Sequence, residues 1–180
     1  MSVTVTWKGK NLQDIQKAAK SVLNDAPRAV GVLAVNHFKQ NFSEGGFDGE
    51  KWKLRKRDKD PGRAVLVGKG SGHLRNSIRV QSYRSDGVTI VSQEKYSQIH
   101  NEGGTINHPG GTSYFVKGKT AIFVKNSTAA RYASMHKRLM LKTKPHKIPM
   151  PQRKFMGESK VLNSKIVKWI RNRMNKELGN

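Results

Sequence analysis

The chain has 180 residues, with 35 Lys and Arg against 12 Asp and Glu, a formal charge of +23 and no cysteine. The missing thiols exclude a disulfide framework and any cysteine-ligated metal, and so large an excess of cations repels itself unless an anionic partner neutralises it. Apolar residues make up 35% of the chain and aromatics 7%, which supports one modest core and leaves part of the chain to pack against partners.

Val3, Val5 and Trp7 alternate with Thr4 and Thr6, the period of a half-buried strand. Asn11 is placed as an N-cap, with Asp14 near the positive helix end, for an amphipathic helix through Leu12, Ile15, Ala19, Val22 and Leu23. Pro27 predicts the restart of a second helix, whose apolar stripe runs Val30, Leu33, Ala34, His37, Phe38 and Phe42. His37 on that stripe reads as a satisfied core histidine rather than a ligand.

From Gly45 to Ile78 the chain turns polar, glycine-rich and basic, bounded by Trp52 and by Gly72-His73-Leu74-Arg75-Asn76-Ser77-Ile78. Loops beyond about 12 to 15 residues are usually functional or disordered. We therefore expect a flexible loop over residues 43–72, its ends fixed by Trp52 and by Leu74 to Ile78. Its middle, residues 55–70, should be poorly ordered until a partner binds. Ile78 and Val80, then Val88 and Ile90, flank the turn Ser85-Asp86-Gly87 and predict a hairpin.

Tyr96, Ile99 and His100 fit a short helical turn before the reversal at Gly103-Gly104, and Thr105 to Gly111 reads as loop. Tyr114 to Val116 and Ala121 to Val124 flank Lys117-Gly118-Lys119 as a second hairpin. Pro145, Pro149 and Pro151 forbid a continuous helix, so residues 126–157 read as an irregular basic arm. Val161, Leu162, Ile166, Trp169, Ile170 and Met174 close the chain as an amphipathic, basic helix. The expected fold is a single α+β domain over residues 1–180. In it a small antiparallel sheet of about four strands in two hairpins packs with two N-terminal helices and a C-terminal helix.

Chemistry-bearing motifs are scarce. Gly62 to Gly70 has the wrong spacing for a phosphate-binding loop, with Gly70 where the hydroxyl should stand. His100, Glu102 and His108 match no metal-ligand spacing, with glycines between them. With acids this few, no general acid/base pair is assembled, so no catalytic, cofactor-binding or metal residue is assigned and an enzyme is not expected. No apolar window approaches the roughly 18 residues of a membrane span, and the chain is expected in a cytosol.

Residues 103–157 carry eleven Lys and Arg and no Asp or Glu. Two sets of cations are candidate contacts: Lys51, Lys53, Arg55, Lys56 and Arg57 in the loop, and Arg131, Lys137, Arg138, Lys142, Lys144 and Lys147 in the arm. Such cations meet DNA phosphates or an acidic protein surface equally well, and the residues alone leave both readings standing.

The order of several short motifs resembles a family. A helix ending in Phe38 to Phe42 is followed by Gly49-Glu50-Lys51-Trp52, then by Gly72 to Ile78. Tyr96-Ser97-Gln98-Ile99-His100-Asn101-Glu102-Gly103-Gly104 comes next, and Ile148-Pro149 to Arg153-Lys154-Phe155-Met156-Gly157 closes the set. This order is similar to that of the virion morphogenesis, or tail completion, proteins of Mu-like tailed phages, over about residues 30 to 175. Lys154 stands where the family pattern has proline. The resemblance implies a structural component of the head-to-tail joint, neck or tail end, made in the bacterial host cytoplasm during infection or from a prophage. Its implied partners are tail tube or connector proteins, with further copies in a homo-oligomeric ring, no cofactor and no membrane. The motif residues Trp52, Gly72, Leu74, Ser77, Ile78, Tyr96, His100, Gly103, Gly104, Arg153 and Phe155 are then expected to be fold-defining. The alternative is a basic nucleic-acid-binding protein unrelated to virions.

Overall fold

The computed structural model describes residues 9–54, 64–67, 72–136 and 139–179. The mixed architecture is α+β, with helices and small antiparallel sheets. By internal packing the chain divides into two compact units: Met1–Glu102 with Gln152–Asn180, and Gly103–Pro151.

The first unit is built on α1, Leu12–Glu44. Asn11 and Asp14 form a reciprocal capping box at its start, and Gly45 ends it in the left-handed conformation at φ 65°. The expected break at Pro27 does not occur, and a single 33-residue helix runs through it. An interior proline removes one helical hydrogen bond, here that of the Leu23 carbonyl. Leu23 is 67% exposed, so that turn is open to water, while the same apolar stripe before and after the proline is held by packing on the elements below.

After α1 the chain makes a short hairpin, β1 Gly46–Phe47 with β2 Glu50–Lys51, then a helical turn, α2 His73–Asn76. The β1–β2 hairpin and α2 thus lie at the two ends that Trp52 and Leu74 to Ile78 were expected to fix. The chain is also pinned between them, because Val65 is only 7% exposed and belongs to the hydrophobic core. Three consecutive apolar residues, Val65 to Val67, carry enough area to reach the core despite polar flanks. Residues 55–63 and 68–71, including Arg55, Lys56 and Arg57, lie outside the described residues, as does the predicted strand over Val3 to Trp7.

The first hairpin forms as expected: β3 Ile78–Arg84 pairs antiparallel with β4 Gly87–Ser92, with a register shift between Val80 and Ser82. Helix α1 packs on this hairpin at Gly31, where an added Cβ would come within 3.1 to 3.3 Å of Tyr83, Val80 and Val88. α3, Ser97–Glu102, follows. The unit closes with α5, Lys160–Glu177, capped by Ser159 and tied to α1 by Arg173, whose guanidinium donates to Asp25 at 2.9 Å. That pair is exposed, so its contribution is small.

The second unit has two sheets among its described residues. β5 Gly104–His108 pairs with β9 His146–Met150, and β6 Ser113–Lys117 lies between β7 Thr120–Phe123 and β8 Leu141–Lys142. α4, Asn126–His136, packs on β6. The predicted Lys117-Gly118-Lys119 hairpin is present, but two expectations change. Residues 104–108, read as loop, form a strand, and residues 126–150 of the expected irregular arm carry α4, β8 and β9. Pro149 is accommodated because, among the described residues, β9 has a partner on one side only, so the missing N–H costs no ladder bond on its outer side. The four strands of the two predicted hairpins also fall into separate sheets instead of one.

Candidate functional site

The motif residues of the first unit converge on one packed hub. Phe42, fully buried, meets Trp52 edge-on at 5.5 Å and Phe155 at 5.2 Å between ring centroids. Leu74 and Ile78 belong to the same cluster. Trp52 is fixed at two points: its backbone N–H donates to Gly45 O at 2.9 Å and its indole N–H to Lys154 O at 2.7 Å. Gly72 takes the left-handed conformation at φ 55° ahead of α2, a turn that a Cβ would strain. Ser77 links the α2 turn to the hairpin, with its hydroxyl 2.7 Å from both Leu74 O and Ser92 Oγ.

The segment 153–157 is threaded through this hub by backbone and side-chain hydrogen bonds. Arg153 N–H donates to His100 O at 2.8 Å, and its Nε donates to Lys53 O at 3.0 Å. Asn101 Oδ1 accepts from both Phe155 and Met156 N–H, and Asn41 Nδ2 donates to Phe155 O at 3.1 Å. Tyr96 packs edge-on against His100 at 5.8 Å. Gly103 and Gly104 take positive φ, 76° and 134°, at the predicted reversal. These pieces, up to 114 residues apart in sequence, close one structural clasp.

A second polar cluster joins α1, the β1–β2 turn and the start of α5. Ser159 Oγ, only 2% exposed, donates to Asp48 Oδ1 while accepting from Leu162 N–H at 3.0 Å. His37 Nε2 lies 2.9 Å from the same oxygen, and Asp48 Oδ2 accepts from Lys160 N–H at 2.7 Å. Since the hydroxyl proton goes to Asp48, His37 donates from Nε2. A Ser, a His and an Asp are thus in contact, but the wiring opposes nucleophilic use: the hydroxyl is buried, its proton faces the carboxylate, and the imidazole is its donor instead of its base. The trio caps α5 and holds the β1–β2 turn, where Asp48 sits at φ 49°, a conformation Asp tolerates better than most residues.

Asn41 and Ser159 are not singled out by the sequence reading, Asn101 stands there only as one position of the Tyr96 to Gly104 motif, and Asp48 only as an acid with nothing to hold its geometry. Ser159 has a local signal, a serine just before the last apolar-periodic run, whereas Asn101 has only its place in the family motif. His37 is buried, as a core histidine should be.

Burial, followed by the Lys165 charge, pushes His37 below its ordinary pKa of 6.5, against the opposing pull of Asp48. Burial and then Arg153 do the same to His100, whose Nδ1 is buried with no hydrogen-bond partner among the described residues. Burial raises Asp48, but the bonds from Ser159 and Lys160 outweigh it and leave the carboxyl below 3.8. Histidines depressed on folding bind fewer protons than in the unfolded chain. The stability they leave in place above about pH 6.5 is therefore lost as pH falls towards their folded values. Asp48 adds a second loss at lower pH still. The melting temperature should fall between pH 7.5 and pH 5.5, and the double variant H37Q/H100Q should flatten that dependence. A melting temperature constant over this range would contradict the assignment.

The described candidate cations are divided between the two units. Lys51 and Lys53 are exposed in the first unit, with Lys51 Nζ donating to Glu44 O at 2.6 Å. Arg131, Lys142, Lys144 and Lys147 are exposed in the second unit, and Lys137 and Arg138 lie outside the described residues. His108 stacks on His146 at 4.9 Å and accepts from Gly110 N–H at 3.0 Å. Among the described residues no group of three or more His, Cys, Asp or Glu is arranged to hold a metal, and no helix is long and apolar enough to cross a membrane.

No curated protein and no solved structure is significantly similar to this chain. The hub residues, from Phe42 on α1 to Leu162 on α5, fall within a family match that spans residues 10–175. On that match, the chain belongs to the phage virion morphogenesis family.

Proposed function

We propose that the protein completes the tail or the head-to-tail joint of a tailed phage, acting by binding and by assembly into a homo-oligomeric ring rather than by catalysis. Its working sites would be the bacterial cytoplasm during assembly and then the neck or tail end of the particle, against tail tube or connector proteins. The observation that carries this reading is the use of polar side chains in the hub. Asn41, Asn101, Arg153 and the Ser159 trio are all engaged in holding distant chain segments together, while the cations named above that the structure describes lie exposed. A rigid frame with a charged exterior suits a part that is docked. Family membership supports a structural role in virion assembly.

Removing the gene from a producing phage should leave unjoined heads and tails, and supplying the protein in trans should restore joining. Complete, infectious particles made without it would overturn the reading. A second reading, a nucleic-acid-binding protein outside the virion, is favoured by the acid-free second unit. It requires DNA affinity that falls steeply as salt rises.

A further inference from the structure

The outer strands of the second unit's three-stranded sheet leave one face covered and one open. Phe115, on β6, is 3% exposed and stacks on Tyr132 of α4 at 5.2 Å. Directly opposed residues of antiparallel strands share a face, so the other face carries Phe123, Tyr114 and Leu141 in one row across β7, β6 and β8, with Val116 and Ala121 in the next. Phe123 is 61% exposed, Val116 50% and Leu141 37%. Single exposed apolar side chains are ordinary, but a row spanning every strand of a sheet is a contiguous patch of the kind that marks interaction sites. Exposed Lys119 and Lys125 lie in the β6–β7 turn and just after β7, beside this row, while Lys117 and Lys142 alternate onto the face that carries Phe115, and residues 103–151 contain no carboxylate side chain.

We propose that this face docks an acidic segment of a partner protein, with apolar side chains covering the Phe123–Tyr114–Leu141 row and carboxylates meeting the surrounding lysines. The proposal rests on the reading of the protein as an assembly part that works by binding. Charge argues against a second copy as occupant: residues 103–151 carry nine Lys and Arg without an acid, and the remainder of the chain carries 26 against 12. Two copies of this acid-free face therefore meet as like charges, which disfavours its pairing with itself. Single-stranded nucleic acid needs flat aromatic platforms. Here the two rings are tilted 41° to each other, and the rest of the face is aliphatic. An amphipathic acidic segment satisfies both the apolar row and the cationic surround.

Fluorescence anisotropy with the full chain at low salt tests this with three labelled probes of equal charge: a peptide alternating leucine with glutamate, polyglutamate, and oligo-dT. The leucine–glutamate peptide should bind most tightly. F123S/L141S should weaken it about tenfold or more, as loss of apolar anchors does, and should leave polyglutamate binding unchanged. K119Q/K125Q should weaken both peptides, and added salt should do the same. Thermal melts check folding, and if F123S lowers the melting temperature, L141S alone at the sheet's outer strand gives the readout. Absence of peptide binding, or peptide binding indifferent to these apolar substitutions, overturns the proposal. So does oligo-dT binding more tightly than the peptide and losing affinity in F123S, which would assign the face to nucleic acid. No particle enters this assay, so its failure leaves the assembly reading standing, whereas normal particles without the protein overturn that reading and leave the peptide result untouched.

Discussion

Phe42→Ala should destabilise the first unit by about 3–5 kcal/mol, the range for truncating a buried phenylalanine. The side chain has no exposed surface and stands where the end of α1, the indole of Trp52 and the ring of Phe155 meet. Removing it opens a cavity between elements that cannot collapse independently. Trp52 is fixed by bonds to Gly45 O and Lys154 O, and Phe155 by Asn41 and Asn101. Against the roughly 5–15 kcal/mol that hold a typical domain, such a loss brings unfolding close to ordinary temperatures. Urea unfolding followed by tryptophan fluorescence and by circular dichroism reads it directly. Leu12→Ala, at a side chain 70% exposed, is the matched control and should shift the midpoint little. A Phe42→Ala loss below about 1 kcal/mol would mean that the three-ring contact is not the centre of the core.

Ser159→Ala is expected to cost about 2–4 kcal/mol, since two effects add. Loss of an N-cap hydroxyl costs about 0.5–2 kcal/mol, here by orphaning Leu162 N–H. The change also strips a partner from Asp48 and from His37, and a buried polar group left unsatisfied costs about 1–3 kcal/mol. Ser159→Thr keeps the hydroxyl and should recover much of the loss. Because Asp48 and Ser159 share their bond, D48N should cost less in the S159A background than alone. Additive losses in that cycle, or an S159A protein as stable as the parent, would remove the trio as a clasp. The two variants strike different joints: one the aromatic hub, the other the junction between α1 and α5.

Some of the molecule was legible locally. The capping box at Asn11 and Asp14, the β3–β4 and β6–β7 hairpins, the short helix before Gly103-Gly104 and the final amphipathic helix all rest on interactions within a few residues of each other. Where the sequence misled, a distant partner outweighed a local preference. Pro27 is a helix breaker by its own chemistry, yet α1 continues because residues on both sides of it, Ala18 and Val22 before and Ala34, Phe38 and Phe42 after, are buried. Pro149 argued against regular structure, yet β9 forms because β5 supplies a partner on its one paired side. Polar flanks suggested an open loop, yet Val65 finds the core.

By itself the sequence determined the charge, the absence of cysteine chemistry, the local elements and the ordered motifs that resemble the family to which the chain belongs. Only the tertiary structure decided what those motifs do to one another. Trp52 with Lys154, Arg153 with Lys53, and Ser159 with His37 and Asp48 are pairings across about a hundred residues or more. No periodicity encodes such pairings, because their energy exists only after the intervening chain has closed and the groups have left water together. The open row on the second unit's sheet has the same origin. Alternation assigns Phe115 and Phe123 to opposite faces of the sheet, but only the packing of α4 decides which of those faces is covered.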